Sequence, residues 1–240
     1  MTSLTREAVE EKLSEVIDPH TGKNLVDSKS VKDIRIGEGV EVDIVLGYPA
    51  KSWAPVLSQQ IEAALGEPSA KVSVSFDVAS HEVQEGVKPL NGVRNIIAIA
   101  SGKGGVGKST LSVNFALALS AEGARVGILD ADIYGPSQPR MLGVNGRPKS
   151  KDGKTLEPMQ SYDMQAMSIG FLVDEESPMI WRGPMVTQAL EQLLNDTQWD
   201  DLDYLIIDMP PGTGDTQLTL AQKVPVSGSV IVTTPQDIAL

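Results

Sequence analysis

The stretch AIASGKGGVGKSTLSVNFALAL, residues 98–119, constrains the fold more than any other part of this 240-residue chain. Gly102, Gly107, Lys108 and Ser109 satisfy the spacing G-x-x-x-x-G-K-[ST] of a phosphate-binding loop. A chance match in a chain of this length is about a one-in-a-hundred event. An apolar run precedes the loop and a helical pattern follows it, so we predict a strand, a loop and a helix N-terminus that cradle the phosphates of a nucleotide.

The residue types in this loop suit that task. Glycines let backbone N–H groups turn onto the phosphates, Lys108 is expected to reach the β- and γ-phosphates, and Ser109 is expected to ligate Mg²⁺. The loop also contains a second lysine, Lys103, which phosphate binding by one chain does not require. The candidate nucleotide-binding residues are Gly102, Lys103, Gly104, Gly105, Val106, Gly107, Lys108, Ser109 and Thr110.

Aspartates follow two apolar runs that read as buried strands. Asp208 ends LDYLIID, where a carboxylate can hold the Mg²⁺ shell through water, and Asp130 and Asp132 end RVGILDAD. Because ligands of doubly wound sheets bind at the carboxyl ends of the strands, one of the latter two can orient an attacking water. The alternative for all three is a structural role as turn or cap residues.

The pattern of the chain predicts two domains of different class. Residues 1–78 read as a small α+β domain with a hairpin, and the polar residues 79–93 read as a linker. From residue 94 to 240, apolar strands alternate with helices, which predicts an α/β domain with a mainly parallel sheet covered by helices. Within it, KTLEPMQSYDMQAMSIG reads as an inserted pair of short strands.

Composition excludes several classes of function. The formal charge of -12 and the lack of a basic patch argue against nucleic acid as a partner. No apolar run approaches the length of a membrane span, and the N-terminus does not read as a targeting signal, so we expect a cytoplasmic protein without a membrane partner. The chain has no cysteine, hence no thiolate site, and two isolated histidines do not make a metal site.

Four segments together resemble the Mrp/ApbC group of iron–sulfur cluster carrier ATPases: KGGVGKST, LDADIYGPS, WRGPM and LDYLIIDMPPGTGD. This group lies within the deviant-Walker P-loop class that also contains the MinD, ParA and nitrogenase iron proteins. The resemblance runs from about residue 87 to the end. More weakly, VIDPHTGKNLV and the hairpin after it are similar to the PaaD/SufT-like domain that is often fused ahead of this ATPase.

The resemblance implies a task for the second lysine. Lys103 matches the signature lysine that reaches across a nucleotide-sandwich dimer to the ATP of the partner, while Lys108 and Ser109 match the loop lysine and the magnesium ligand of the same subunit. A lysine supplied by the partner acts like an arginine finger, which contributes about 10³ to 10⁵ in rate. Hydrolysis is therefore expected to depend on a homodimer.

The resemblance also assigns the aspartates. Asp132 matches the switch I aspartate that positions water, and Asp130 supports the magnesium shell. Asp208 matches the switch II carboxylate, and Gly212 and Gly214 give that switch its mobility. The implied catalytic residues are therefore Lys103, Lys108 and Asp132, and the implied Mg²⁺ residues are Ser109, Asp130 and Asp208.

The chain departs from the group in its cysteines. The group carries its cluster on a C-x-x-C pair after the last nucleotide-binding strands, and two subunits share the cluster. No cysteine is present here, so either the chain is truncated and the ligands lie beyond Leu240, or this is a cysteine-free relative that carries no cluster. In the small domain, LGYPAKSWAP stands where some relatives have a reactive cysteine, which favours an interaction module there.

The leading hypothesis is a homodimeric, Mg²⁺-dependent ATPase that transfers iron–sulfur clusters to apoproteins, with client proteins and assembly factors as partners. One rival is a MinD/ParA-like ATPase that positions a partner on a membrane or chromosome. A second rival is a non-enzymatic adaptor that nucleotide merely locks as a dimer.

Overall fold

The computed structural model describes residues 5–83, 87–172, 183–212 and 222–236. Trp181, Arg182 and Gly214, which the resemblance singles out, lie outside these residues. The chain divides into two compact units, Met1–Ala79 and Ser80–Leu240. Each unit is described separately.

The first unit packs two helices on one face of a three-stranded sheet. Its elements are α1 (Arg6–Glu15), β1 (Ile17–Asp18), β2 (Lys23–Asn24), β3 (Val31–Ile36), β4 (Val40–Leu46), α2 (Ala54–Leu65) and β5 (Lys71–Phe76). Strands β3 and β4 form the predicted antiparallel hairpin, and β5 pairs in parallel with β4 through the crossover helix α2. The alternation in β4 buries Val42 and Ile44 against Leu13 of α1 and Ile61 of α2.

The second unit is built on a six-stranded sheet with the order β11-β6-β10-β7-β9-β8. Its strands are β6 (Val93–Ala100), β7 (Val126–Asp130), β8 (Met159–Ser161), β9 (Met164–Ser168), β10 (Leu202–Asp208) and β11 (Gly228–Ile231). Its helices are α3 (Lys108–Ala121), α4 (Gln138–Met141) and α5 (Gly183–Asp196), with a 3₁₀ turn at Ile169–Phe171. All strand pairs are parallel except β8 with β9, which confirms the predicted α/β class.

Both faces of the central strands are buried, as continuous apolar strands require. On one face Ile96 and Ile207 lie in a cluster with Leu190 of α5. On the other face Ile99 and Ile206 lie in a second cluster, which includes residues of α3. The second unit is therefore a layered structure of helix, sheet and helix.

The segment predicted as an inserted pair of strands is the edge of the main sheet. Strands β8 and β9 do form an antiparallel hairpin, with Tyr162 and Asp163 in the turn at φ of 50° and 59°. However, β9 also pairs in parallel with β7, from Gly127 opposite Gln165 to Asp130 opposite Ser168. Local pattern identifies the hairpin but not the distant strand with which it pairs, because that pairing depends on residues far away in the sequence.

The sheet brings the carboxyl ends of its central strands together. Asp208, the last residue of β10, lies opposite Ile99 of β6 on one side and Asp130 of β7 on the other. The glycine-rich loop leaves β6 at this same edge and leads into α3. No helix within the described ranges is long and apolar enough to span a membrane.

Candidate functional site

The loop between β6 and α3 has the backbone that a phosphate cradle needs. Gly105 and Gly107 have φ of 82° and 92°, in the left-handed region that only glycine adopts without strain. Gly107 is the N-cap of α3, and no side chain caps the helix. The first N–H groups of α3 are therefore not taken by a capping side chain, which is the condition for anion binding at a helix N-terminus.

Two hydrogen bonds of Ser101 fix the start of this loop. The hydroxyl of Ser101 donates to the backbone carbonyl of Lys103 at 2.9 Å. The backbone N–H of Gly212, four residues after Asp208, donates to the carbonyl of Ser101 at 2.9 Å. The segment that follows β10 is thereby joined to the start of the phosphate loop.

Lys108 and Asp208 form a buried ion pair at the centre of the site. Lys108 Nζ donates to Asp208 Oδ1 at 2.5 Å and to the hydroxyl of Ser109 at 3.2 Å. The side chains of Lys108 and Asp208 are 6% and 0% exposed. The hydroxyl of Ser112, one helical turn after Lys108, lies 3.0 Å from the same Oδ1 and 3.0 Å from the backbone carbonyl of Lys108, so its single hydrogen is shared between these two acceptors.

Gln138, the first residue of α4, completes the contacts of Asp208. Its Nε2 donates to Asp208 Oδ2 at 2.9 Å and to the backbone carbonyl of Ser109 at 3.1 Å. Gln138 is 1% exposed. Neither Gln138 nor Ser112 is among the site residues predicted from the sequence. For Ser112 the spacing of four residues from Lys108 on one helix was an available signal, whereas Gln138 had none beyond its position after the aspartate pair.

Asp130 is buried and bound to the backbone of the segment that follows it. Its Oδ1 accepts from Asp132 N at 3.1 Å, and its Oδ2 accepts from the backbone N–H groups of Ser137 and Gln138 at 2.8 and 2.9 Å. Burial, with a contribution from the charge of Asp208, raises the pKa of Asp130 to about 7 against the opposing effect of these hydrogen bonds. Asp130 therefore shapes the loop between β7 and α4.

Asp132 and Lys103 are more accessible than these residues. Asp132 is half-buried, and its Oδ1 accepts from Gly135 N at 3.3 Å. Lys103 is exposed, and its ammonium forms no hydrogen bond or ion pair with any other residue that the structure describes. Of the remaining loop residues, Val106 is half-buried; Gly102, Gly104 and Thr110 are exposed.

The clustered oxygens suit a magnesium nucleotide. Carboxylates, hydroxyls and amide carbonyls are the ligands that Mg²⁺ prefers, usually with several waters retained. The hydroxyl of Ser109 and the carboxylates of Asp130 and Asp208 lie in one connected network. Gln138 Oε1 and the hydroxyl of the neighbouring Ser137 are buried and have no hydrogen-bond partner among the described residues, so the network also holds two unused oxygens.

The first unit has a separate polar cluster around Asp18. This buried carboxylate accepts from the hydroxyl of Tyr48 at 2.7 Å and from the backbone N–H of His20 at 3.1 Å. The ring of His20 is exposed and lies edge-on to the rings of Tyr48 and Trp53. Throughout the described ranges, no three His, Asp or Glu side chains are grouped as metal ligands.

Comparison with known proteins gives two separate matches along the chain. A family model described as "NUBPL iron-transfer P-loop NTPase" matches residues 92–240, and one described as "Iron-sulfur cluster assembly protein" matches residues 6–76. The iron-sulfur cluster carrier protein of Haemophilus influenzae is 48% identical over 100% of this chain, and that of Escherichia coli K12 is 50% identical over 92%. The chain spans only 66% and 62% of the lengths of these two relatives.

Among solved structures, a nucleotide-binding protein from Archaeoglobus fulgidus in complex with ADP is 40% identical, with a TM-score of 0.54. The match covers 62% of this chain and 57% of that one. Because a family model covers more than half of the chain, the resemblance read from its motifs is confirmed. The chain belongs to the ParA-like NUBPL/Mrp family of iron–sulfur cluster carrier P-loop NTPases, with a PaaD-like domain at its N-terminus.

Proposed function

We propose that this protein binds and hydrolyses ATP with Mg²⁺ as a cytoplasmic homodimer and carries iron–sulfur clusters to apoproteins. The observation that carries the proposal is the network at the carboxyl end of the sheet, in which Lys108 contacts both Ser109 and Asp208, and Gln138 bridges Asp208 and the backbone carbonyl of Ser109. Membership of this family supports the proposal that the network serves nucleotide hydrolysis and iron–sulfur transfer.

ATP binding changes the partner of Lys108. In the described structure its ammonium is paired with Asp208, so it must leave this carboxylate to reach the β- and γ-phosphates. Mg²⁺ supplies the compensating positive charge and neutralises charge that develops on the phosphates. The hydroxyl of Ser109 and the carboxylate of Asp208 would hold it, with Asp130 supporting the shell, and Asp132 would orient the attacking water.

Lys103 is proposed to act on the nucleotide of the partner subunit. Its ammonium is exposed on the loop and has no partner within the described ranges, so it remains available for a contact with a second chain. A cation supplied in this way stabilises the charge of the transition state and adds about 10³ to 10⁵ in rate. This arrangement makes hydrolysis conditional on assembly of the dimer.

The iron–sulfur cluster is cargo rather than a resident group. The 240 residues contain no cysteine, so they do not supply the thiolate ligands that a cluster needs. We propose that the ligands come from cysteines outside these 240 residues and are shared by the two subunits. The N-terminal unit is proposed to be an interaction module for apo-clients and assembly factors.

Anaerobic reconstitution of the complete gene product with iron and sulfide tests the carrier function. We expect bound iron and sulfide in stoichiometric amounts and a gain of activity when the loaded protein is mixed with an apo iron–sulfur enzyme. The variant Lys108→Ala serves as the control for dependence on nucleotide. A wild-type protein that holds neither iron nor sulfide, and activates no apo-target, contradicts the carrier function.

A further inference from the structure

We propose that Gln138 is a positioning residue that keeps the carboxylate of Asp208 in place for Mg²⁺ after Lys108 has moved to the phosphates. The proposal rests on the nucleotide binding proposed above. It concerns a residue that no phosphate-loop motif contains and that reaches Asp208 from the far end of the loop after β7.

The chemistry of its neighbours fixes the orientation of the Gln138 amide. A carboxylate oxygen and a backbone carbonyl only accept hydrogen bonds, so the amide nitrogen must face both Asp208 Oδ2 and the carbonyl of Ser109. Turning the amide over would place its oxygen against two other oxygens at about 3 Å, which is repulsive. Both donor hydrogens are thereby used, and Gln138 bridges the end of β10 and the start of α3.

Asp208 needs this contact most when its ion pair is broken. Oδ1 accepts from both Lys108 and Ser112, but on Oδ2 the amide of Gln138 is the one hydrogen-bond donor within the described residues. Once Lys108 leaves, Oδ1 keeps only the hydroxyl of Ser112, whose single hydrogen is shared with the carbonyl of Lys108, while Gln138 holds Oδ2. A carboxylate fixed at both oxygens keeps its orientation, which Mg²⁺ requires because of its strict octahedral geometry.

Gln138 also connects the two carboxylates of the site. Its backbone N–H donates to Asp130 Oδ2 at 2.9 Å, while its side chain donates to Asp208 Oδ2 at the same distance. A shift of the start of α4 is therefore transmitted to both acids. Because Gln138 is 1% exposed, water does not readily replace either bond.

The unpaired oxygen of the Gln138 amide indicates that the site can accept a hydrogen bond from a bound group. Gln138 Oε1 is buried and without a donor in the described part of the chain. A buried acceptor without a donor is destabilising, so such oxygens in native proteins are generally satisfied by a bound water or ion. A water bound to Mg²⁺ is a strong donor and would satisfy this oxygen.

Binding of a fluorescent ATP analogue, measured with Mg²⁺ and again in EDTA, tests the proposal without requiring turnover. Methionine has nearly the length of glutamine and no donor, so Gln138→Met removes both bonds. We expect its affinity in EDTA to stay within about twofold of wild type, and the gain in affinity produced by Mg²⁺ to fall about tenfold. The matched control is Gln165→Met, which breaks two bonds between the Gln165 side chain and the backbone of Asp200 and is expected to keep the full gain.

The outcomes separate the inference from the function on which it rests. A wild-type protein that does not bind the analogue contradicts both. A wild-type protein whose affinity rises with Mg²⁺, together with a Gln138→Met variant that shows the same rise, contradicts the role of Gln138 alone. Thermal unfolding without nucleotide checks that the variant is folded. If it is not, Gln138→Asn, which keeps the amide but shortens the side chain by one methylene, carries the same expectation.

Discussion

Asp208 is the residue on which the other groups of the site converge. It is fully buried and accepts hydrogen bonds from Lys108, Ser112 and Gln138. Buried ion pairs contribute little net stability, since desolvation offsets their attraction, but removal of one partner is costly. We therefore interpret the ion pair as a contact that holds Lys108 in the site until a phosphate competes with Asp208 for its ammonium, and not as a source of stability.

Asp208→Asn is expected to separate these two effects. Without nucleotide the variant leaves Lys108 buried without a counter-charge, so its free energy of unfolding should fall by about 3 kcal/mol. Its affinity for ADP in EDTA should rise, because binding no longer breaks an ion pair, while Mg²⁺-dependent hydrolysis should be lost. Calorimetric titration with ADP, with and without Mg²⁺, measures the change. An affinity in EDTA below that of wild type contradicts this interpretation.

Substitution of the two lysines of the loop is expected to impair different properties of the protein. Lys108→Ala removes the cation that meets the phosphates of its own subunit and should abolish nucleotide binding. Lys103→Ala should bind nucleotide as wild type does but lose hydrolysis by about 10³-fold or more, as expected for a cation supplied by a partner. Equilibrium binding and steady-state hydrolysis measure the two properties.

Lys149→Ala is a suitable control for both variants, because Lys149 is exposed and lies outside the loop. It should change neither binding nor hydrolysis. If both loop variants hydrolyse ATP as wild type does, the proposed mechanism is wrong.

The sequence predicts the phosphate loop because its residues are consecutive. Gly102, Gly107 and Lys108 follow the fixed spacing of a phosphate-loop motif, and the strand and helix on either side are visible in the apolar pattern. Gln138 gives no such signal, since its contact with Asp208 joins residues 70 positions apart in sequence. That contact exists only because parallel pairing places β7 and β10 side by side, and pairing is a property of the fold.

Strands β7 and β10 are also tied together at their opposite, amino ends. Asp203 at the start of β10 accepts from Arg125 Nη2 at 2.7 Å and Nε at 3.1 Å, and from the backbone N–H of Arg125 at 2.9 Å. Burial works to raise the pKa of Asp203, but the hydrogen bonds and charge of Arg125 outweigh it and the pKa lies below its usual value. The bidentate contact fixes the register that places Asp130 beside Asp208 at the carboxyl end.

Asp203→Asn is expected to destabilise the fold in a pH-dependent way. At pH 7 the free energy of unfolding should fall by about 2 kcal/mol, the value of a hydrogen-bonded, largely buried charge contact. Because the pKa is lower in the folded state, this stability is present above the unfolded pKa of about 3.9 and is lost as the pH falls through the folded pKa. Urea unfolding of wild type and variant should therefore show a difference that narrows below about pH 4.

Asp201→Asn provides the control for this prediction. Asp201 also pairs with Arg125, but its side chain is 65% exposed, and its φ of 46° is one that asparagine adopts readily. The variant should lose less than about 0.5 kcal/mol, as exposed pairs usually do. Equal losses in Asp201→Asn and Asp203→Asn contradict the importance of the buried contact.

The order of the strands is the part of the fold that the sequence analysis left incomplete. Strand β9 lies inside the sheet between β7 and β8, and its Met164 and Met167, 0% and 1% exposed, are buried in the apolar clusters on the two faces of the sheet. An alternation of apolar and polar residues over a few positions is the same for an isolated hairpin and for a sheet edge. The distinction depends on the partner strand, which local periodicity does not identify.

For the molecule as a whole, a net charge of -12 sets a condition on nucleotide binding. The general field opposes a polyphosphate, so attraction must come from local groups: the uncapped N-terminus of α3, Lys108 and a bound cation. This explains why Asp208 keeps the ammonium of Lys108 in the site before nucleotide binds. A further cation from a second subunit would add to this attraction, and Lys103 is the residue proposed to provide it.

A mixing experiment with two variants decides whether Lys103 acts on the nucleotide of the partner. Lys103→Ala retains Asp132 but provides no lysine to its partner, whereas Asp132→Asn provides Lys103 but does not orient water in its own site. Both retain Lys108 and are expected to bind ATP, and each alone should be nearly inactive. In an equal mixture half of the dimers are mixed, and each of these has one intact site, so roughly a quarter of the wild-type hydrolysis rate should return. A mixture that stays as inactive as its components contradicts the proposed dimer mechanism.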